Sequence, residues 1–337
     1  DFGATGNPTV TLSGGLNYDG TSDIDATGAL SAGVGDLSAG YDLFANTEEY
    51  AVNFILMGGA GYERASAQAL ASKVISIAEQ RKDALAFVSP CRSEILTTSG
   101  NGYTVKSTAD ATDNILSFYS SVPSSSYGVL DSGYKYMYDR FADTFRYIPL
   151  NGDIAGCCAR NDALLFPWYS PAGTARGGIL NAAKLAYNPG QLQRDRLYSA
   201  RINPVITTPG GGITLFGDKT ALNKSSAFDR INVRRLFIFL QEAIKGAGRD
   251  VMFEFNDSLT RSSFVNAVEP FLRDIQAKRG IVDFRLICDE TNNTAAVVDS
   301  NEFVADIYIK PSRSINFIGL TFVATRSGVS FSEVVGN

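Results

Sequence analysis

The chain has 337 residues, 45% of them hydrophobic and 19% charged, with a formal net charge of −5 and no histidine. Its length favours two domains with substantial cores, and its acidic balance lacks the basic footprint that nucleic-acid binding leaves. Without histidine, the side chain that titrates near neutrality, most acid/base and nucleophilic constellations are out of reach.

Residues 1–49 are rich in Gly, Ser, Thr and Asp and carry no helical periodicity, which predicts weakly patterned strand and loop. The chain does not open on Met, so this segment reads as the end of a longer N-terminal region. From residue 50 the pattern becomes regular. Residues 50–59, "YAVNFILMGG", predict a buried strand ended by glycines. Residues 64–83 predict a helix with Ala67, Leu70, Ala71, Val74 and Ile77 on one face, and "ALAFVSP" predicts a second buried strand. A strand, helix, strand unit favours a parallel pair. A further helix is expected over 108–121, then a strand at 127–130. The aromatic segments "YKYMYDR" and "FRYIPL" read as a hairpin, "DIAGCCARNDALLF" as a helix of small residues, "PWYSPAGTARGGI" as a loop, and "PGQLQRDRLYSARI" as a polar connecting helix.

Past residue 203 the texture changes. "NPVITT" and "GITLFGD" predict strands, and residues 228–244, "FDRINVRRLFIFLQEAI", a strongly apolar helix. "DVMFEF" predicts a strand. Residues 259–280 predict an amphipathic helix carrying Phe264, Val265, Val268, Phe271, Leu272 and Ile275, with Pro270 expected to kink or restart it and Gly280 as its C-cap. Three closing strands are expected in "IVDFRLICDE", "EFVADIYIKP" and "INFIGLTFVAT", the last apolar on both faces and therefore central.

Four cysteines, Cys91, Cys157, Cys158 and Cys288, show no CxxC spacing, and two are adjacent; they read as buried free thiols rather than a zinc site or disulfide framework. No run approaches the ~20 apolar residues of a membrane span. "GITLFGDKT" nearly spells a phosphate-binding loop, but Asp218 intrudes before Lys219 and the apolar residues belong to a strand. "CDETNNT" gathers oxygen donors without the spacing of a calcium loop, and reads as an Asx-rich turn. The Tyr and Trp residues between Tyr127 and Tyr169 lack an accompanying basic groove, which favours strand packing or a protein interface over nucleic acid. These readings leave no catalytic, metal or cofactor-binding residue.

One feature is out of keeping with helix electrostatics. Arg230, Arg234 and Arg235 sit in the first turns of a helix, where the backbone dipole already favours anions. As bidentate donors they could anchor carboxylates from another domain or another chain.

In order, "GDIAGCCARND", "WYSPAGTARGGI", "QLQRDRLYSARINPV", "FDRINVRRLFIFL", "TRSSFVNAVEPFL", "CDETNNT" and "EFVADIYIKPSRSINFIGLTFVAT" resemble the tail sheath proteins of contractile-tailed bacteriophages, over about residues 130–337. The resemblance implies a structural protein, not an enzyme. Its subunits would form hexameric rings stacked around a tail tube, and the assembly would contract to drive the tube through the host envelope. Its partners would be other copies of itself, the tube, baseplate and tail terminator proteins, with neither nucleic acid nor direct membrane insertion. The place implied is the virion tail sheath, assembled in the host cytoplasm.

The implied fold is a subtilisin-like, non-catalytic α/β sandwich over 50–202, after the variable 1–49, followed by a C-terminal α+β sheath domain over 203–325. A strand-donating arm would follow over 326–337, with Val329, Phe331, Glu333 and Val335 alternating with smaller or opposite-facing residues. Two other classes stay open from the residues: a degenerate carboxylate-dependent hydrolase, or another self-assembling surface protein.

Overall fold

The computed structural model describes residues 33–315, except 60–62, 100–101, 142, 209 and 211. The expected strand in "INFIGLTFVAT", the arm over 326–337 with Val329, Phe331, Glu333 and Val335, and residues 1–32 lie outside the described residues, apart from Ile315 at the start of that strand.

The first helix is α1 (Val34–Asp42), where strand and loop were expected. It buries no residue completely, but Leu37 and Tyr41, one turn apart, pack against the first core, and the Tyr41 hydroxyl donates to the Leu56 carbonyl. Tertiary support from the neighbouring helix, not its own periodicity, holds it.

Behind it, β1 (Phe54–Leu56), α2 (Arg64–Arg81) and β2 (Leu85–Val88) form the expected unit with parallel strands. The hairpin β3 (Leu96–Ser99) and β4 (Gly102–Val105) leads to α3 (Thr108–Tyr119) and β5 (Gly128–Asp131). Ser107 caps α3 by accepting from the Asp110 amide. The aromatic hairpin is β6 (Tyr134–Asp139) with β7 (Thr144–Pro149), in which Tyr136 stacks on Phe145 with centroids 5.1 Å apart. Then come α4 (Asn151–Leu164), β8 (Lys184–Leu185), which extends the aromatic hairpin, α5 (Gln191–Ser199) and β9 (Ile202–Asn203).

Strands β1, β2, β5 and β9 make one parallel sheet in that order. The alternation of β2 shows how it is covered. Ala86 and Val88 face α2 and α3, among Leu70, Val74, Ile115 and Phe118, while Leu85 and Phe87 face α4, among Ile154, Cys157 and Cys158. Helices on both faces explain why β2 is apolar throughout.

The hairpin β10 (Val205–Thr208) and β11 (Gly212–Leu215) sends Val205 and Leu215 into this same core. A division at 202/203 therefore cuts through packing that joins β9, β10 and β11 to the first sheet.

The second half holds α6 (Ile231–Asp250), α7 (Ser258–Ala277), β12 (Ile281–Ile287), α8 (Ala295–Asp299) and β13 (Asp306–Pro311). Both long helices pack on the β12–β13 antiparallel pair through Leu236, Leu240, Phe264, Val268, Leu272 and Ile275.

Three local expectations are corrected. Residues 250–255 form no strand: α6 runs to Asp250, turns follow that leave Phe253 and Phe255 exposed, and no strand among the described residues pairs with them. Pro270 does not break α7; it and Asn266, whose carbonyl it deprives of a donor, are both exposed, so water can serve that carbonyl. The left-handed residue closing α7 is Arg279 (φ 65°), not Gly280. Gly280 is needed for a different reason, since a Cβ there would lie 2.6 Å from Ile275 and 3.0 Å from the Trp168 ring.

Candidate functional site

The junction of the two halves gathers the charged residues singled out above. Arg230 stands in extended conformation immediately before α6, so its side chain reaches back toward the turn after β11. There Asp218, 2% exposed, accepts from Arg230 Nη1 at 3.0 Å, from Ser170 Oγ at 3.0 Å, from Ser314 Oγ at 2.6 Å and from the Tyr198 hydroxyl. Arg230 also donates to the Tyr198 hydroxyl and lies 3.5 Å from Asp229. The Asp218 carbonyl in turn accepts from the Ile231 amide, which ties the first residue of α6 to the same turn. Asp218, the residue that spoils the phosphate-loop spelling, is thus the hub of a polar network joining α5, the loop before it, α6 and the end of β13.

Arg235 points the other way, into α4. It is 6% exposed and donates to both carboxylate oxygens of Asp162, with its guanidinium over the Phe54 ring at 5.3 Å. Arg234 has no carboxylate within ion-pair distance among the described residues. Its guanidinium lies between the Tyr127 and Phe228 rings, at 4.2 and 4.0 Å, and donates to the Tyr127 hydroxyl and Ser126 Oγ. Its Nε is buried and finds no acceptor among the described residues. Burial pulls its pKa below the ordinary guanidinium value, against a smaller opposing pull from Tyr127. Two of the three arginines therefore find their anions inside the chain, across the junction, and the third is held by rings and hydroxyls.

Apolar contacts bridge the same seam. Trp168, the chain's only tryptophan, leaves the loop after α4 and enters the core of the second half among Leu236, Leu240, Leu272 and Ile275. It stacks on Phe166 with centroids 4.7 Å apart, and its Nε1 donates to the Lys278 carbonyl at 3.0 Å. Reading this stretch as a loop was correct for its backbone, but gave no sign of where its tryptophan goes. The sequence marks Trp168 only as one of the aromatic residues between Tyr127 and Tyr169, suited to strand packing or a protein interface, and does not mark Asp162; the signal available for the tryptophan is the close set of Phe166, Trp168 and Tyr169 in a Pro- and Gly-rich loop.

Other candidates resolve into structural roles. Asn292 and Asn293 of "CDETNNT" tie the turn to β13: Asn293 Nδ2 donates to the Val304 carbonyl, its Oδ1 accepts from the Val304 amide, and Asn292 Nδ2 donates to Asp306. The four cysteines are buried free thiols.

At the C-terminal ends of β2 and β5, Ser89 Oγ donates to Asp131 Oδ2 at 2.6 Å and accepts from the Asn151 amide. Both side chains are almost completely buried, and burial pushes the Asp131 carboxyl up to about 8, against hydrogen bonds from Ser89 and Gly133. With Ser89 2% and Asp131 1% exposed, this hydroxyl–carboxyl pair is closed off from solvent by the described residues.

A family model described as the phage tail sheath protein central domain matches residues 31–221, and one described as the phage tail sheath C-terminal domain matches residues 223–325. The chain is 43% identical over 333 residues to the tail sheath protein of Vibrio phage KVP40, and 42% identical over 337 residues to that of Enterobacteria phage T4. Each alignment takes in 97% of this chain but 49% and 48% of the relative, so the chain spans about half the length of the curated relatives it matches. Among solved structures, a chain of the anti-feeding prophage baseplate superposes with a TM-score of 0.68 at 17% identity, over 87% of this chain and 73% of the other. A chain of the contracted helical sheath of the anti-feeding prophage gives 0.66 at 18% identity, over 86% and 74%. At such identities the likeness is one of fold.

Proposed function

The chain belongs to the phage tail sheath family, and from that premise we propose that it is part of a structural subunit that polymerises as hexameric rings around a tail tube and contracts to drive the tube through the host envelope. The observation that carries this reading is the pair of sheath family domains, matched in order from residue 31 to residue 325. The partners proposed are other copies of the protein, the tube, the baseplate and the tail terminator. Its place is the virion tail, with assembly in the host cytoplasm.

The role is mechanical rather than catalytic. The chain carries no histidine, and the sealed Ser89–Asp131 pair offers no reactive group to solvent. We read the three-layer α/β portion as the subtilisin-like sandwich of the family, without its chemistry, and propose a boundary with the C-terminal domain near residue 222, a reading supported by the packing of Val205 and Leu215 with the first sheet and by family matches that end at 221 and resume at 223.

Residues 326–337 are proposed as an arm that adds a strand to a neighbour through Val329, Phe331, Glu333 and Val335. Arg230 and Arg235 hold the two halves of one subunit together. Arg234, with no carboxylate among the described residues, is the arginine proposed to meet a neighbour.

Electron microscopy of the full-length protein tests the proposal. Six-fold tubes are expected, and a protein that stays monomeric at every concentration refutes it. Deleting residues 326–337 is expected to abolish tubes with the fold retained; unchanged assembly would refute the arm.

A further inference from the structure

We propose that a basic, aromatic groove beside the junction receives residues 46–50 of a second copy of this chain, an acidic turn; this rests on the polymerising subunit proposed above. The groove, about 1140 Å³, lies between the loop carrying Tyr169 and Arg176, helix α5, the Phe216–Asp218 turn and residues 312–315. Arg176, Arg194, Arg279 and Arg313 line it, and none of the four has an ion-pair partner among the described residues. Arg194 lies over the ring of Phe216, itself 53% exposed, and Arg176 over the ring of Tyr169, each at 5.6 Å. Two acids share the lining, Asp195 and Asp218, and Asp218 is engaged with Arg230. On a chain of net charge −5, this is a local excess of positive charge with exposed aromatic surface, a combination suited to an acidic, aromatic peptide.

Residues 46–50, Asn-Thr-Glu-Glu-Tyr, have that chemistry. Glu48 and Glu49 are exposed and in no ion pair among the described residues, and the Tyr50 ring meets Phe44 edge-on at 5.7 Å. The turn is held in shape from below: the buried Arg81 guanidinium donates to the carbonyls of Phe44, Asn46 and Tyr50. A turn already ordered loses little entropy on docking.

Topology keeps the two surfaces apart within one copy. The turn precedes β1, at the N-terminal end of one edge strand, whereas the groove adjoins Pro204, just past the C-terminal end of β9, the opposite edge. Three strand spacings of ~4.8 Å and the strand length separate them. A contact between such different patches is head-to-tail, the kind that generates rings or helical polymers.

In the full-length protein, Arg194→Glu with Arg313→Glu is expected to raise the concentration needed for polymerisation at least about tenfold, and adding Glu48→Lys with Glu49→Lys to the same chain to restore it. Separately, mixing a Glu49→Cys chain with an Arg313→Cys chain and a short bismaleimide is expected to give a cross-linked dimer that neither variant gives alone; Cys91, Cys157, Cys158 and Cys288 are buried. Tubes that form unchanged in the reversed variant, with no cross-link, overturn the contact and leave the sheath reading standing. A wild-type protein that forms no tubes yet cross-links upholds the contact and overturns the sheath reading. Absence of both overturns both.

Discussion

Replacing Asp218 with Ala isolates the network at the seam. The carboxylate is 3% exposed and its partner Arg230 21%, at 3.0 Å, so water screens the pair only weakly. Removing one member of a buried pair leaves the other charge uncompensated, at a cost of ~3–5 kcal/mol. Arg230 keeps some exposure, a Tyr198 contact and Asp229 at 3.5 Å, which argues for the lower end, about 3 kcal/mol. Arg230→Met alone should also destabilise, because Asp218 would then be the stranded charge. The double variant should lose less than the sum, with a coupling of roughly 2 kcal/mol. Urea unfolding read by tryptophan fluorescence suits the measurement, because the single tryptophan, Trp168, sits in the same seam. With a slope of about 3 kcal/mol per M, the Asp218→Ala midpoint should fall by about 1 M. A loss below about 1 kcal/mol, the value of an exposed ion pair, or single effects that simply add, would refute the reasoning.

Asp131→Asn should remove a pH dependence. With its folded value near 8 against 3.8 for the free side chain, the native state holds a proton that the unfolded chain releases between those values. Its stabilising contribution is therefore full below about pH 4 and lost as pH rises toward 8; thermal melts should show the variant gaining on the wild type across that window, and parallel curves would contradict it. Gly280→Ala forces a methyl against Ile275 and the Trp168 ring, and should cost ~1–3 kcal/mol by overpacking, with altered tryptophan fluorescence; an unperturbed spectrum and stability would count against the close approach. Arg235→Lys keeps a charge that can meet Asp162 but loses the Nη1 contact with the Cys158 carbonyl and the guanidinium face over the Phe54 ring, and should cost about 1–2 kcal/mol in the same urea assay. A neutral effect there would mean that charge alone, not the contacts with Cys158 and Phe54, holds α6 to α4.

Much of the architecture was legible before any coordinates. The segments of β1, α2 and β2 announced themselves because an apolar period of 3.6 between two short apolar runs has few other solutions, and residues 134–150 announced a hairpin through their aromatic alternation. The misses share a cause. Residues 250–255 have strand composition, but a strand needs a neighbour to bond with, and none among the described residues pairs with them. Residues 34–42 have weak helical patterning, but α2 offers a surface on which Leu37 and Tyr41 can pack. In both, tertiary surroundings outweighed local preference.

The arginines divide the two kinds of information most clearly. By itself, the sequence determined that three cations stand at a helix start where the dipole repels them and that support for them has to come from outside the helix, because helix electrostatics is a property of a few consecutive residues. Only the tertiary structure decided that Asp218 and Asp162 answer Arg230 and Arg235, while Arg234 lies between two rings. Asp162 is 73 residues away from its partner, and the Tyr127 ring 107 residues from Arg234. A contact across such separations is set by how sheets and helices stack, which no local pattern encodes.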